Sequence, residues 1–226
     1  MVFEGPEGSG KSTQARLLVA RIESSGRQCL LTREPGGTPI GERIRAILLS
    51  QESMNMLPAT EALLHSAARA QHVGEVVRPA LSAGKVVICD RFLDSTYAYQ
   101  GGGRGLELDK LSAIQSLAVG DTIPQVRFLL DLPVEEGLAR RRAIASQVNR
   151  MDEADLAFHQ RVRETYLALA GSAPGDWVVL DATYEIERLE SLIATALRER
   201  LGIDVTTPLQ PLTNASELGV HGVRIP

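Results

Sequence analysis

The stretch Gly5-Pro6-Glu7-Gly8-Ser9-Gly10-Lys11-Ser12-Thr13 fits the pattern G-x-x-x-x-G-K-[ST]. A loop of this kind, set between a strand and a helix, turns backbone N–H groups inward around phosphate oxygens, with the positive end of the helix behind them. Lys11 is expected to reach the β- and γ-phosphates, and Ser12 to help hold Mg²⁺. Glycines at 5, 8 and 10 let the backbone approach the ligand without a Cβ in the way. A second element, Val86-Val87-Ile88-Cys89-Asp90, is an apolar run ending in an acid. It reads as a buried strand that delivers a carboxylate to the sheet edge, where Asp90 would act on the Mg²⁺ shell. Its other reading is a strand-end residue capping the next turn. Together the two elements describe a nucleoside triphosphate site.

More polar chemistry follows the strands than one nucleotide needs. Thr32-Arg33-Glu34-Pro35-Gly36-Gly37-Thr38 comes after the second apolar run, and Asp90 to Gly103 (DRFLDSTYAYQGGG) after the third. An Arg-rich stretch lies between Leu138 and Asp155. The guanine-reading Asn-Lys-x-Asp of a switch GTPase does not occur. In-line phosphoryl transfer needs positioning and charge neutralisation more than covalent chemistry, so a second site lined with arginines suits a small kinase.

These residues need a frame. β-branched apolar runs at Val2-Phe3, Cys29 to Thr32, Val86 to Cys89, Val126 to Leu130 and Trp177 to Leu180 alternate with helical spacing. The helical stretches are Thr13 to Glu23, Ala59 to Ser82, Leu156 to Ala170 and Ile186 to Leu201. That alternation predicts an α/β fold, a five-stranded parallel sheet with helices on both faces and ligands at the strand C-terminal edge. Pro79 should kink or divide its helix. The domain is expected over residues 1–202, with a mobile Arg-rich lid at about 140–153. The aperiodic, proline-bearing tail 203–226 is expected to be loosely ordered or disordered.

The net charge of −4 on 226 residues argues against a dedicated nucleic-acid binder. Cys29 and Cys89 sit beside or within apolar runs and read as buried, unpaired thiols. No signal segment and no run of membrane-spanning length is present, so a cytoplasmic enzyme is expected, without a membrane partner. Only Met1-Val2-Phe3-Glu4 precede the loop, fewer residues than such a strand usually has, and the native start is expected slightly upstream.

Taken in order, GPEGSGKST, TREPGGT, Asp90-Arg91 with Ser95 and Ala98-Tyr99-Gln100-Gly101-Gly102-Gly103, and Phe158-His159-Gln160-Arg161-Val162-Arg163 resemble the bacterial thymidylate kinase family, from Gly5 to about Leu201. The resemblance implies a Mg²⁺-dependent homodimer that transfers the ATP γ-phosphate to dTMP, giving dTDP for dTTP biosynthesis. It places Arg91 on the dTMP phosphate with Arg45 nearby, and Arg69 on the thymine O4 edge. Ser95 and Gln100 would line the base pocket, and Tyr99 would pack under the sugar where a 2′-hydroxyl would clash. Glu7 would contact the acceptor sugar and phosphate region, with Glu34 supporting that side. Arginine suits a dianion because its guanidinium offers paired donors in fixed geometry. Local alternatives remain: a solvated helix position for Arg45, a pair with Glu61 or Glu75 for Arg69, a helix cap for Ser95.

The sequence also departs from the family pattern. His65 stands where the family carries an aromatic, typically Phe; an imidazole still stacks on thymine, with less area and pH-dependent charge, or is a partly buried helix histidine. Asn149-Arg150-Met151-Asp152 replaces a lid sequence ending in Glu. Gly8 stands where some members carry a basic residue, which shifts charge neutralisation to a lid arginine among Arg140, Arg141, Arg142 and Arg150. Neighbours on a helix lie about 100° apart, so they cannot all face inward; Arg142 and Arg150 are the choices. Asp181 falls where related kinases set a loop against adenine, or caps the next helix. The Ala- and Leu-rich Ala59 to Ser82 stretch offers a helix face for dimerisation or for the core. The rival readings are the same fold with another acceptor, such as dUMP, another nucleoside monophosphate or a nucleoside, and a nucleotide-binding switch.

Overall fold

The computed structural model describes residues 1–143 and 150–205. Five strands, β1 (Val2–Glu4), β2 (Cys29–Arg33), β3 (Val86–Asp90), β4 (Arg127–Asp131) and β5 (Trp177–Asp181), form one parallel sheet in the order β2-β3-β1-β4-β5. Their alternating side chains divide the core. Phe3, Ile88, Phe128 and Leu130 pack with Leu18 and Ile22 of α1 (Lys11–Ser24) and Leu189 and Ile193 of α9 (Ile186–Leu201). Leu129 and Trp177 face the other way, onto Val162 and Tyr166 of α8 (Leu156–Ser172). Val2 and Cys89 meet Ala118 and Val119 of α6 (Leu108–Val119) on that second side. Both faces are covered, as a parallel sheet requires.

The short β1 is paired on both edges, so three residues suffice to place the phosphate loop at the centre of the sheet. Thr38 caps α2 (Pro39–Leu49), its Oγ1 accepting from Gly41 N, with Pro39 in the first turn where a missing N–H costs nothing. Asp155 caps α8 by accepting from Phe158 N at 2.6 Å. The long Ala59 to Ser82 pattern is divided, but not at Pro79. α3 (Pro58–His72) widens into a π turn at Val73–Val77 and resumes as α4 (Arg78–Ser82), with Pro79 in its first turn. The wider turn ahead of Pro79 absorbs the hydrogen bond that its nitrogen cannot make.

A second widened segment follows β3. The one-turn α5 (Leu93–Thr96) passes into a π turn, Tyr97–Gly103. Cβ atoms on Gly102 and Gly103 would collide with Thr165 and Phe158, so α8 seats directly on this turn. At the start of the expected extension Val205 is buried and its carbonyl accepts from Arg21 Nη1. Residues 206–226 and the central part of the expected lid, 144–149 with Asn149, lie outside the described residues. Among those described, both cysteines are free, Cys89 buried and Cys29 partly so, and no helix is long and apolar enough to cross a membrane.

Candidate active site

A cleft of about 530 Å³ opens over the C-terminal ends of the strands, lined on one side by Glu7 to Thr13 and on the other by Glu34, Arg45, His65, Arg69 and Gln100. The first side is made by the loop between β1 and α1. Lys11 is folded onto that loop, its Nζ donating to Pro6 O at 2.6 Å and Ser9 Oγ at 3.0 Å. Burial, with the nearby Arg91 charge, lowers the Lys11 ammonium to about 8. The Ser12 hydroxyl donates to Asp90 Oδ2, so the two candidate metal ligands are neighbours, and Asp90 does not cap a turn. Gly8 adopts φ +71 with its α-carbon against the backbone of Gly137 in α7 (Val134–Arg142). No side chain fits there, which explains why a basic residue is missing at this position.

Arg91 joins the two sides. It is the one described non-glycine residue with a left-handed backbone, at φ 68. Its Nη1 donates to Gly5 O at 2.9 Å and to Tyr166 Oη at 3.1 Å, and its Nη2 to Glu7 Oε1 and Tyr99 Oη, both at 3.0 Å. The guanidinium also lies over the Tyr99 ring. Burial alone would raise the Glu7 carboxyl, but Arg91, with Lys11 and Arg141 behind it, holds it down to about 2. Below this group Glu4 is wholly buried, accepting from Phe92 N at 2.8 Å, Ser95 Oγ at 2.6 Å and Tyr166 Oη at 2.9 Å. Burial, reinforced by the Asp94 carboxylate, raises Glu4 to about 7. Ser95 thus belongs to this cluster and caps no helix.

The far wall comes from α3. Glu61, His65 and Arg69, four residues apart, share one helix face. Arg69 pairs with neither Glu61 nor Glu75. Its Nε meets Glu34 Oε2 at 2.6 Å, while Nη1 donates to Thr96 Oγ1 and Gln115 Oε1 and Nη2 to Phe92 O. His72 holds the other Glu34 oxygen at 2.9 Å. Arg45 is half-buried and donates to Pro35 O. His65 is half-buried too, and burial together with the Arg69 charge lowers its pKa to about 4. That shift favours the neutral ring near pH 7.

The arginines of the expected lid differ in where the structure places them. Arg142 is exposed and Arg150 is 4% exposed, its guanidinium held by Glu61 Oε2 at 2.7 Å and Leu48 O at 3.0 Å. Neither lines the cleft. Arg141 does: it pairs with both oxygens of Asp152 at 3.0 Å and stands 4.0 Å from Glu7. Arg140 lines it as well, bonded to Ala182 O. Asp181 is exposed, outside the cleft lining, and accepts from Thr183 N and Oγ1, so it closes its own turn and does not cap α9. Sequence reasoning missed Glu4, Glu61 and Tyr166. The signal available for Glu4 was an acid inside an apolar strand start, a group that burial obliges to find donors.

A parallel sheet in this order, a phosphate loop after its central strand and a second arginine-lined compartment facing it define a P-loop nucleotide kinase. The family profile described as thymidylate kinase matches residues 3–193. A thymidylate kinase of Thermomicrobium roseum is 51% identical over 88% of this chain and 94% of its own, and one of Trichlorobacter lovleyi 45% identical over 91% and 99%. The crystal structure of thymidylate kinase from Ehrlichia chaffeensis superposes with a TM-score of 0.72 at 30% identity, covering 87% of this chain and 96% of that one. The chain belongs to the thymidylate kinase family.

Proposed function

We propose that the protein transfers the γ-phosphate of ATP to the phosphate of dTMP, giving ADP and dTDP. The observation that carries this reading is the Arg91 node, a cation whose partners are the phosphate loop on one side and the Tyr99 turn on the other. In the reaction, the loop N–H groups and Lys11 hold the donor phosphates, and Arg91 and Arg45 hold the acceptor phosphate. The nucleophile is a phosphate oxygen already ionised near neutrality, since the second pKa of a phosphate monoester is about 6. No general base is needed, and a carboxylate held at about 2 would be a poor one. Glu7 instead orients Arg91. Arg141, on the cleft side of α7, neutralises charge on the transferring group in place of Arg142 and Arg150.

The Ser12 hydroxyl and Asp90 carboxylate are hard oxygen donors beside the phosphate loop, which fits Mg²⁺, an ion that keeps phosphate oxygens and water as its other ligands. When bound, Mg²⁺ would neutralise phosphate charge and fix the oxygens in line. On the acceptor side Tyr99 closes the space beside the sugar, and the neutral His65 ring stacks on the base. Leu63 and Leu117, 55% and 88% exposed on the adjacent α3 and α6, offer an apolar surface for a homodimer. The proposal extends to a lid at about 140–153, an extension from 203, adenine near Asp181 and a cytoplasmic setting.

The test follows ADP release with ATP, Mg²⁺ and, separately, dTMP, dUMP, ribo-TMP, dCMP, AMP and GMP. Release that depends on dTMP supports the reading. Equal rates with dUMP or another acceptor keep the kinase and remove the thymidylate assignment, and release independent of any acceptor removes both.

A further inference from the structure

Glu61 shares an α3 face with the cleft-lining His65 and Arg69, and it is wholly buried. Oε1 accepts from Gln100 Nε2 at 2.8 Å and Arg104 Nε at 3.3 Å; Oε2 accepts from Arg104 Nη2 at 3.2 Å and Arg150 Nη2 at 2.7 Å. Burial works to raise this carboxyl, but the hydrogen bonds from Gln100, Arg104 and Arg150 hold it below the usual range. Glu61 is therefore an anion, an acceptor only. A glutamine amide beside it has one possible orientation, with its NH₂ toward Glu61 and its carbonyl away. Gln100 lines the cleft. Among the described residues no hydrogen bond takes its Oε1, and that atom is not among the sealed, unpartnered ones, which are Gln14 Oε1 and His159 Nε2. The free carbonyl thus looks into the cleft.

At the other end of the same helix face, Arg69 uses Nε, both Nη1 protons and one Nη2 proton on Glu34, Thr96, Gln115 and Phe92 O. One Nη2 proton has no partner among the described residues. Arg69, His65 and Gln100 all line the cleft, so the wall combines a guanidinium edge with remaining donor capacity and an amide carbonyl with acceptor capacity. A 4-oxo pyrimidine offers the complement, an acceptor at O4 and a donor at N3–H. A 4-amino pyrimidine offers the reverse at both positions and would leave both wall groups unpaired.

We propose that Glu61 is the positioning residue that sets the hydrogen-bond polarity of the base wall. By forbidding rotation of the Gln100 amide it excludes cytosine nucleotides from the acceptor site. This rests on reading the cleft as a pyrimidine monophosphate site. Without the anion, Gln100 can turn its NH₂ inward and accept a 4-amino pyrimidine through N3.

The experiment compares kcat/KM for dTMP and dCMP in the wild type, Glu61→Gln, Gln100→Met and the double variant. Glu61→Gln is expected to lower the dTMP-over-dCMP ratio by about tenfold or more, since a site's polar groups reject ligands that leave them unpaired. In the Gln100→Met background the same substitution should leave the ratio unchanged, because its route is gone. A merely structural Glu61 would lower both substrates together; an unchanged ratio in Glu61→Gln, or an undiminished effect without Gln100, overturns the proposal. If losing Glu61 alone prevents folding, Glu61→Gln with Arg150→Met removes the anion and its fully buried cation, leaving the partly exposed Arg104 in contact with solvent, and is read in the same way. A wild type that does not favour dTMP over dCMP overturns the site reading first and this inference with it.

Discussion

The phosphate-loop side of the cleft, the proposed donor side, is made of backbone, and the facing wall, the proposed acceptor side, of buried side-chain ion pairs. Around the phosphate loop the groups that would meet ligand are main-chain N–H, one lysine and arginines at the rim, whereas across the cleft Arg69 and Glu34 are sealed at 2% and 3% side-chain exposure. Arg91 stands on the border and belongs to both. A backbone cradle recognises any triphosphate. A rigid, cross-bonded wall can distinguish one base edge from another, because an unpaired buried polar group costs about 1–3 kcal/mol. On the proposed reading, the phosphate-loop side would hold what nucleotides share and the facing wall would read what differs.

The largest test of this division is the border residue. Arg91→Met should lower kcat/KM for dTMP by about 10³-fold, since it removes the cation from the phosphate and takes from Glu7 its nearest cation. It should also destabilise the fold by about 3 kcal/mol in denaturant titrations, as expected when a largely buried pair loses one member. A loss confined to ATP, with KM for dTMP unchanged, would put Arg91 on the donor side.

Lys11→Met comes next, with kcat down about 10²-fold and affinity for dTMP within about twofold of wild type. The pH dependence follows from the same group. Its pKa in the free protein is about 8, so it is charged below pH 8 and loses its charge above. Because bound triphosphate would raise that pKa, kcat/KM for ATP should fall above pH 8 while kcat holds to higher pH. The folded pKa lies below the unfolded one, so this group makes the protein more stable, not less, as pH rises from 8 toward 10.5. A stopped-flow ATP titration across pH 7 to 10 reads the first effect. A flat kcat/KM profile would mean that Lys11 is already charged and extended before ATP arrives.

Smaller still is the contrast between two neighbours on α7. Arg141→Ala should lower kcat about tenfold, and Arg142→Ala should leave it within about twofold. That pair also shows what could be read in advance. The five strands, the phosphate loop and the limits of α1, α8 and α9 were legible because they follow from local pattern, α9 occupying Ile186–Leu201, the span its periodicity marks. By contrast, α2, α6 and α7 carried no marked periodicity. That Arg141 and not Arg142 lines the cleft could not be read in advance, because it depends on the rotation of α7 about its axis. The close Gly8–Gly137 approach beside it is a tertiary contact that no periodicity carries. The same holds for partners. Arg69 and Glu34 are 35 residues apart, Glu61 and Arg150 are 89, and Glu4 and Tyr166 are 162. The residue types announce that such groups must find partners; which ones meet is decided by tertiary packing.

The finest test concerns His65, the departure from the family pattern. If its ring is neutral in the cleft wall, it is a flat apolar surface much like the phenyl ring it replaces. His65→Phe should then change kcat/KM for dTMP by less than about threefold at pH 7.5, the gain in stacking area being small. The ratio between mutant and wild type should be the same at pH 5.5 as at pH 8, because a group with a pKa of about 4 does not titrate in that range. Stability should differ in the opposite manner. Unfolded histidine takes up a proton near 6.5 while folded His65 does not, so wild type loses stability as pH falls from 6.5 toward 4, and His65→Phe escapes that loss. If instead the activity ratio rises toward Phe below pH 6.5, the ring is being protonated in place. The acceptor wall would then be open to solvent, and the contrast between a rigid reading side and a permissive donor side would fail at its centre.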